Sequence, residues 1–149
     1  MAKKVLCIDD DVNTVKFLTV ALEQNGYEAI GAHDGREGLE KIRSERPDAI
    51  VLDVMMPKKT GWVLFKQLRR DEEFKNLPVI MLTGVADVLS GLDEQSDDTH
   101  ESPYGPLREA MRKQIREMRD EGLVKPDMFI DKPIDPELVV AKIKELIGT

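Results

Sequence analysis

The chain has one cysteine, no long apolar run and a shortage of positive charge, and each of these excludes a class of protein. The single cysteine among 149 residues excludes an intramolecular disulfide framework. Because no run of about 18 apolar residues and no signal-like segment occurs, we expect no membrane insertion and a cytoplasmic location. With 22 Lys and Arg against 29 Asp and Glu, the net charge of -7 repels phosphate backbones, so direct nucleic acid binding is not expected.

The glycine-rich motifs of kinases are also missing. Neither a P-loop nor a protein-kinase glycine-rich motif is present, and Gly35 and Gly38 have no supporting lysine motif. What the chain does have is 41% hydrophobic residues, which is enough for a core, and a length that fits one domain. We therefore expect a single domain over residues 1–149.

Short apolar segments alternate with helical patterns along the chain. The segments at 5–8, 49–52 and 79–82 are continuous and rich in β-branched residues, which is typical of parallel strands buried on both faces. Weaker strands are predicted at 27–30 and 128–130, and helices at 15–22, 39–42, 62–68 and 136–147. This alternation predicts an α/β flavodoxin-like doubly wound (βα)5 fold with a five-stranded parallel sheet. Its ligand crevice should lie at the carboxyl ends of the strands.

Acidic residues follow two of the buried strands. Asp9, Asp10 and Asp11 come directly after the first strand, and Asp53 comes directly after the third. Because the carboxyl ends of parallel strands meet at one edge, these four acids should crowd one crevice. Like charges raise one another's pKa unless a cation neutralises them, and an all-oxygen site suits Mg²⁺. The alternative is that Asp11 caps the next helix and the others are solvated loop acids.

Two more strand ends contribute complementary groups. Thr83 and Gly84 follow the 79–82 segment, and Lys132 follows the last predicted strand. A hydroxyl, a lysine charge and Mg²⁺ together would stabilise phosphoryl transfer to a carboxylate, with Asp53 as the nucleophile. A lone Thr-Gly or Lys-Pro pair is ordinary turn chemistry, so the prediction depends on the agreement of all the strand ends.

The ordered set of motifs resembles the receiver domains of two-component response regulators, the CheY-like superfamily. The segments that carry the resemblance are residues 5–11, residues 52–57 with Gly61, residues 81–84 and residues 132–133. They span nearly the whole chain, and as an ordered set they are highly specific. The resemblance implies a phosphoacceptor signalling domain rather than an enzyme, with self-catalysed phosphorylation and dephosphorylation only.

The resemblance also implies a role for each site residue. Asp53 would be the phosphorylation site, and Thr83 and Lys132 would contact the phosphoryl group. The implied Mg²⁺ ligands are Asp9, Asp10, Asp53 and the backbone carbonyl of Met55. The peptide before Pro133 is often cis in the family, which would aim Lys132 back at the crevice.

A conformational switch is implied as well. Thr83 would move toward the phosphate and Phe129 would swing from exposed to buried, reshaping the face formed by the fourth helix, fifth strand and fifth helix. The alternative for Phe129 is a permanently buried core ring.

The segment between Thr83 and Lys132 is longer than the resemblance implies. The two residues are 49 positions apart, whereas a βα unit needs only about 20 to 25. After a breaker at 102–106, apolar residues recur at helical spacing at Leu107, Met111, Ile115 and Met118. We expect a helical insertion at roughly 88–124, between strands 4 and 5 of the same domain. It would either pack on the domain's own sheet as a long fourth helix or form a docking surface.

Taken together, these features predict a stand-alone receiver that is phosphorylated by a sensor histidine kinase or a phosphotransfer protein. Output would run to an unidentified protein target, and a homodimer through the switching face or the insertion is a further expectation. The alternative is a non-phosphorylated receiver-like binding module. Such modules usually have lost one of the acids, the threonine or the lysine, and none is missing here. A haloacid-dehalogenase-type phosphatase is disfavoured because Asn13 stands where that signature needs threonine.

Overall fold

A computed structural model of the chain describes residues 2–53, 60–83, 105–123 and 126–149. Strands and helices alternate through these ranges. The strands are β1 (Lys4–Ile8), β2 (Glu28–Ala32), β3 (Ala49–Asp53), β4 (Val79–Thr83) and β5 (Met128–Asp131). The helices are α1 (Val12–Gln24), α2 (Gly35–Glu45), α3 (Thr60–Arg70), α4 (Gly105–Asp120) and α5 (Pro136–Ile147). No helix within these ranges is long and apolar enough to cross a membrane.

The five strands form one parallel sheet in the order β2-β1-β3-β4-β5. Every residue of β3 and β4 is buried, which explains why these strands are continuous apolar runs. Because β2 and β3 lie on opposite sides of β1, the direction of winding reverses there, and the crevice opens at the carboxyl ends of β1 and β3. The predicted doubly wound α/β fold is confirmed.

Alternating strand residues divide the apolar core between the two faces of the sheet. Ile8 and Leu52 point to the face covered by α2, α3 and α4, where they pack with Phe65. Val51 and Cys7 point to the other face, covered by α1 and α5. Cys7 is fully buried, and this burial, with the nearby charge of Asp9, raises the pKa of its thiol to about 12.

Aspartates begin three of the helices. Asp11, Asp34 and Asp135 are the N-caps of α1, α2 and α5, and the carboxylate of each accepts a hydrogen bond from a backbone N–H of the first turn. In α5 the proline that follows the cap has no N–H to leave unpaired. These capping residues fix where the three helices begin, and Asp11 starts α1 directly after the residues that follow β1.

The predicted amphipathic helix between strands 4 and 5 corresponds to α4, Gly105–Asp120. Met118, on its apolar stripe, is fully buried and joins the core that contains Phe65 and Met81. That end of the helix therefore packs against the core of the domain. Residues 88–104 of the predicted insertion lie outside the described ranges, and the docking role stays a prediction.

Candidate functional site

The carboxyl ends of four strands bring the predicted polar residues to one edge of the sheet. Asp9 and Asp10 follow β1, Asp53 and Thr83 are the last residues of β3 and β4, and Lys132 follows β5. Two backbone bonds continue the ladders past the strands: the Asp9 N–H donates to the Ala32 carbonyl at 3.1 Å, and the Lys132 N–H donates to the Thr83 carbonyl at 2.8 Å. The site residues therefore stand on paired backbone.

Three carboxylates converge in this crevice. One oxygen from each of Asp9, Asp10 and Asp53 lies within 4.8 Å of the others. Asp9 and Asp53 are each 1% exposed, whereas Asp10 is exposed to solvent. Carboxylate oxygens are the donors that Mg²⁺ prefers, and a site open on one side allows the ion to keep several of its waters. The residues present fit a magnesium site.

Lys132 supplies positive charge to the same crevice. Its Nζ lies 3.1 Å from Asp53 Oδ2 and 3.3 Å from Asp9 Oδ2. Burial works to lower the pKa of Lys132, but the charges of Asp53 and Asp9 outweigh it and raise the pKa above its ordinary value. The lysine therefore stays charged and half-exposed, with its ammonium directed at the acids.

Burial and neighbouring charge raise the pKa values of Asp9 and Asp10. Burial raises the pKa of Asp9, the Asp11 N–H that donates to Asp9 Oδ1 at 3.0 Å opposes the shift, and the charge of Asp53 adds to it. The pKa of Asp10 is raised by partial burial and then by the hydrogen bond and the charge of Asp9. The ionised forms of Asp9 and Asp10 are thus disfavoured, and a bound cation would relieve this cost.

Asp11 is held differently from its neighbours. Its carboxylate accepts hydrogen bonds from the Asn13 N–H at 2.9 Å and the Thr14 hydroxyl at 3.0 Å. These bonds, the threonine bond first, lower the pKa of Asp11. Asp11 therefore acts as a helix cap, in agreement with the alternative interpretation of this one residue.

The structure describes the two predicted switch residues, Thr83 and Phe129, but not Met55. Thr83 is fully buried at the end of β4. Phe129, which pairs in register with Met81, is half-buried and packs against the core on the α3 side. The Lys132–Pro133 peptide is cis, as the resemblance implies. Met55, whose carbonyl is a predicted ligand, lies outside the described residues.

A groove beside the site was not predicted. A groove of about 580 Å³ between α1 and α5 is lined in part by Phe17, Val20 and Pro136. Phe17 is 61% exposed. A second cavity of about 410 Å³ shares Phe17 and extends to Lys132. The signal in the sequence was Phe17 itself, an aromatic residue that does not fall on the apolar face of α1 formed by Val15, Leu18 and Leu22.

A buried arginine was also missed. Arg69, at the end of α3 away from the crevice, donates to the Leu77 carbonyl at 2.8 Å, lies 3.7 Å from Asp127, and sits 4.7 Å over the Phe65 ring. Burial lowers its pKa, and the charge of Asp127 opposes this shift. Its pairing depends on tertiary contacts, so no local pattern could reveal it.

Comparisons with known proteins all point to response regulators. Residues 5–98 match the family described as "Response regulator receiver domain". The Bacillus subtilis alkaline phosphatase synthesis transcriptional regulatory protein PhoP is 35% identical over 98% of this chain, and the Mycobacterium tuberculosis response regulator MprA is 37% identical over 91%. The chain spans 61% of the length of each of these two relatives.

Solved structures agree with the sequence relatives. Chemotaxis protein CheY4 of Vibrio cholerae is 28% identical, with a TM-score of 0.69 over 99% of this chain and 100% of that one. A CheY-like response regulator receiver domain protein of Methanospirillum hungatei is 25% identical, with a TM-score of 0.65 over 97% of this chain and 93% of that one.

Proposed function

The chain belongs to the response regulator receiver family, and from that premise we propose that Asp53 accepts a phosphoryl group from a histidine kinase or phosphotransfer protein in a Mg²⁺-dependent reaction. The observation that carries the proposal is the position of Asp53. Its buried carboxylate lies 3.1 Å from the Lys132 ammonium and belongs to the same cluster as the carboxylates of Asp9 and Asp10. The proposed nucleophile therefore has a fixed cation on hand and, beside it, the acids that would hold a second cation.

In the proposed transfer, an oxygen of Asp53 forms a bond to phosphorus while the bond from phosphorus to the donor histidine breaks. Lys132, which already contacts Asp53, would bind an oxygen of the incoming phosphoryl group, and the Thr83 hydroxyl would donate to another. Asp9, Asp10, Asp53 and the Met55 carbonyl would hold Mg²⁺. When bound, the ion would neutralise charge on the phosphoryl oxygens.

The groove between α1 and α5 supports docking of the donor beside this crevice. Phe17 and Val20, one turn apart on α1, are 61% and 43% exposed, and together they form the kind of contiguous apolar surface that favours protein binding. The adjoining cavity, which Phe17 also lines, leads to Lys132. A donor helix that packs its apolar face on α1 would place its histidine over the acids.

The strand register supports an output route. Thr83 ends β4 and Phe129 lies on β5, the strand paired with it. Movement of Thr83 toward a phosphoryl group would change the packing of Phe129 and so the surface around β5. The signal would then pass to a protein target or a second copy of the chain.

Phosphotransfer from a purified phosphohistidine protein tests this function. Phosphate-affinity electrophoresis should show a retarded band with Mg²⁺ and none with EDTA. If neither the protein donor nor acetyl phosphate produces the band, the non-phosphorylated binding module is favoured.

A further inference from the structure

The outer edge of β2 carries backbone groups that point away from the sheet. Within the described ranges β2 pairs with β1 and stands at the end of the strand order. The Glu28 N–H donates to the carbonyl just before β1 at 2.9 Å, and the Ala32 carbonyl accepts from the N–H just after β1 at 3.1 Å. Because backbone groups alternate in direction along a strand, the N–H and carbonyl groups of Ala29 and Gly31 point outward.

This edge fits a second copy of the same strand. An outward row of N–H and carbonyl groups is a template for pairing with another strand. In an antiparallel pair across a two-fold axis, each outward N–H meets an outward carbonyl of the other copy, so the edge is complementary to itself. Ala29, Ile30 and Gly31 carry no charge that would oppose this pairing. Protection of the edge must therefore come from another part of the chain.

Gly31 cannot shield its own backbone with a side chain. A Cβ at this position would lie 2.5 Å from a side-chain carbon of Val15 on α1, so the packing of α1 requires glycine. A cover for the outward carbonyl of Gly31 therefore has to be supplied by a different element.

Lys41 of α2 binds the outward carbonyl of Gly31. Its Nζ donates a hydrogen bond to that carbonyl. The same Nζ lies 3.4 Å from Oε1 of Glu37, one turn earlier on the helix. The ammonium is thus held between a carboxylate of its own helix and the edge of the sheet. A lysine charge is one of the means by which proteins keep edge strands from pairing.

We propose that Lys41 is an autoinhibitory cap, which keeps β2 from pairing with β2 of a second copy of the chain. An incoming strand would have to displace the ammonium from the Gly31 carbonyl. A two-fold pair would also bring the Lys41 side chains of both copies to one interface, where their like charges repel. The cap acts on the free protein and does not depend on Asp53, so it goes beyond the proposed phosphoryl transfer.

Sedimentation equilibrium over a range of protein concentrations measures the effect of the cap. Lys41→Met keeps a long side chain and removes the ammonium. The control is Lys75→Met, the same change at a half-exposed lysine that is also paired with a glutamate of the preceding turn, Glu72, outside α2 and β2. Lys41→Met should form dimers at a protein concentration about tenfold or more below that of the wild type, and Lys75→Met should match the wild type.

A second substitution locates the interface. Ala29→Pro removes an outward N–H and no bond to β1, and proline is tolerated on edge strands. In the Lys41→Met background it should return dimer formation to the wild-type level, with circular dichroism showing that the double variant is folded. Amide hydrogen exchange gives an independent readout, because the N–H groups of Ala29 and Gly31 in Lys41→Met should exchange more slowly at dimer-forming concentrations.

Other results would overturn the cap. Equal association of Lys41→Met and the wild type would show that the lysine does not close the edge. Equal association of Lys75→Met and Lys41→Met would reduce the effect to a loss of surface charge. Unchanged exchange at Ala29 and Gly31 in a Lys41→Met dimer, or a dimer that a folded Ala29→Pro double variant does not weaken, would place the interface elsewhere.

Discussion

Asp9 illustrates a conflict between function and stability at one residue. It is buried, it adjoins Asp53, and its pKa is raised, chiefly by burial. A carboxyl group whose pKa is higher in the folded than in the unfolded state stabilises the fold when protonated and loses that contribution as the pH rises through the folded pKa. At neutral pH without metal, ionised Asp9 therefore destabilises the protein.

Replacement Asp9→Asn should raise the free energy of unfolding by about 1 kcal/mol at neutral pH without metal. The asparagine oxygen can still accept the Asp11 N–H. The gain should shrink as the pH falls toward the ordinary aspartate range, while Mg²⁺ affinity falls roughly tenfold or more. Urea unfolding across pH and calorimetric Mg²⁺ titration measure these effects. The control Asp120→Asn, at an exposed acid on α4, should change neither the free energy of unfolding nor the Mg²⁺ affinity. An Asp9→Asn variant less stable than the wild type at neutral pH would contradict this prediction.

The site residues differ in how far the sequence could reveal them. Asp9, Asp53 and Thr83 were predictable because the strands before them are apolar runs whose ends are easily read. Asp11 stayed ambiguous, since an aspartate before a helix has the same local pattern whether it caps or binds. Only the hydrogen bonds to Asn13 and Thr14 resolve it.

At the scale of the element, α1 depends on that cap. Asp11→Ala should lower the free energy of unfolding by about 1 kcal/mol, because the first-turn N–H groups lose their acceptor. Mg²⁺ affinity should change little. Asp11→Asn, which caps equally well, is the matched control and should keep wild-type stability in urea unfolding. Loss of Mg²⁺ binding in both variants would instead assign Asp11 to the metal site.

The packing of α4 is tested by its buried methionine. Met118→Ala should cost about 2–4 kcal/mol of stability, because it leaves a cavity next to Phe65. Lys113→Ala, at an exposed position of the same helix, should stay within about 0.5 kcal/mol. Denaturant midpoints compare them. Equal stability of both variants would mean that this end of α4 does not contribute to the core.

Element boundaries were less predictable than element types. The second strand was predicted at 27–30 but runs over Glu28–Ala32. Its end includes Gly31, where a Cβ would lie 2.5 Å from a Val15 side-chain carbon. That close approach of α1 to the strand is a tertiary contact, and the local pattern contains no trace of it.

At the scale of the whole molecule, the alternation of strands and helices was enough to predict the doubly wound sheet and the edge at which the site lies. Surfaces between distant segments were not predictable. The groove that Phe17 lines lies between α1 and the start of α5. Arg69 on α3 forms an ion pair with Asp127, just before β5. Such juxtapositions exist only after the crossovers are packed.

The groove yields a prediction about partners. Phe17→Ala should slow phosphotransfer from a purified phosphohistidine protein by about fivefold or more, because an exposed aromatic anchor is lost. Phosphorylation by acetyl phosphate should be unchanged, since the crevice is intact. Val63→Ala, another exposed apolar residue, on α3, should affect neither rate. An equal loss with both donors would place Phe17 in the chemistry rather than in docking.

The central claim is that Asp53 is a Mg²⁺-dependent phosphoacceptor, and intact mass after incubation with acetyl phosphate tests it most directly. The wild type and the control Asp120→Asn should each gain one phosphoryl group, about 80 Da, when Mg²⁺ is present and not when EDTA replaces it. Asp53→Asn should gain none. A wild-type protein that gains no mass, or an Asp53→Asn variant that gains as much as the wild type, would contradict the account.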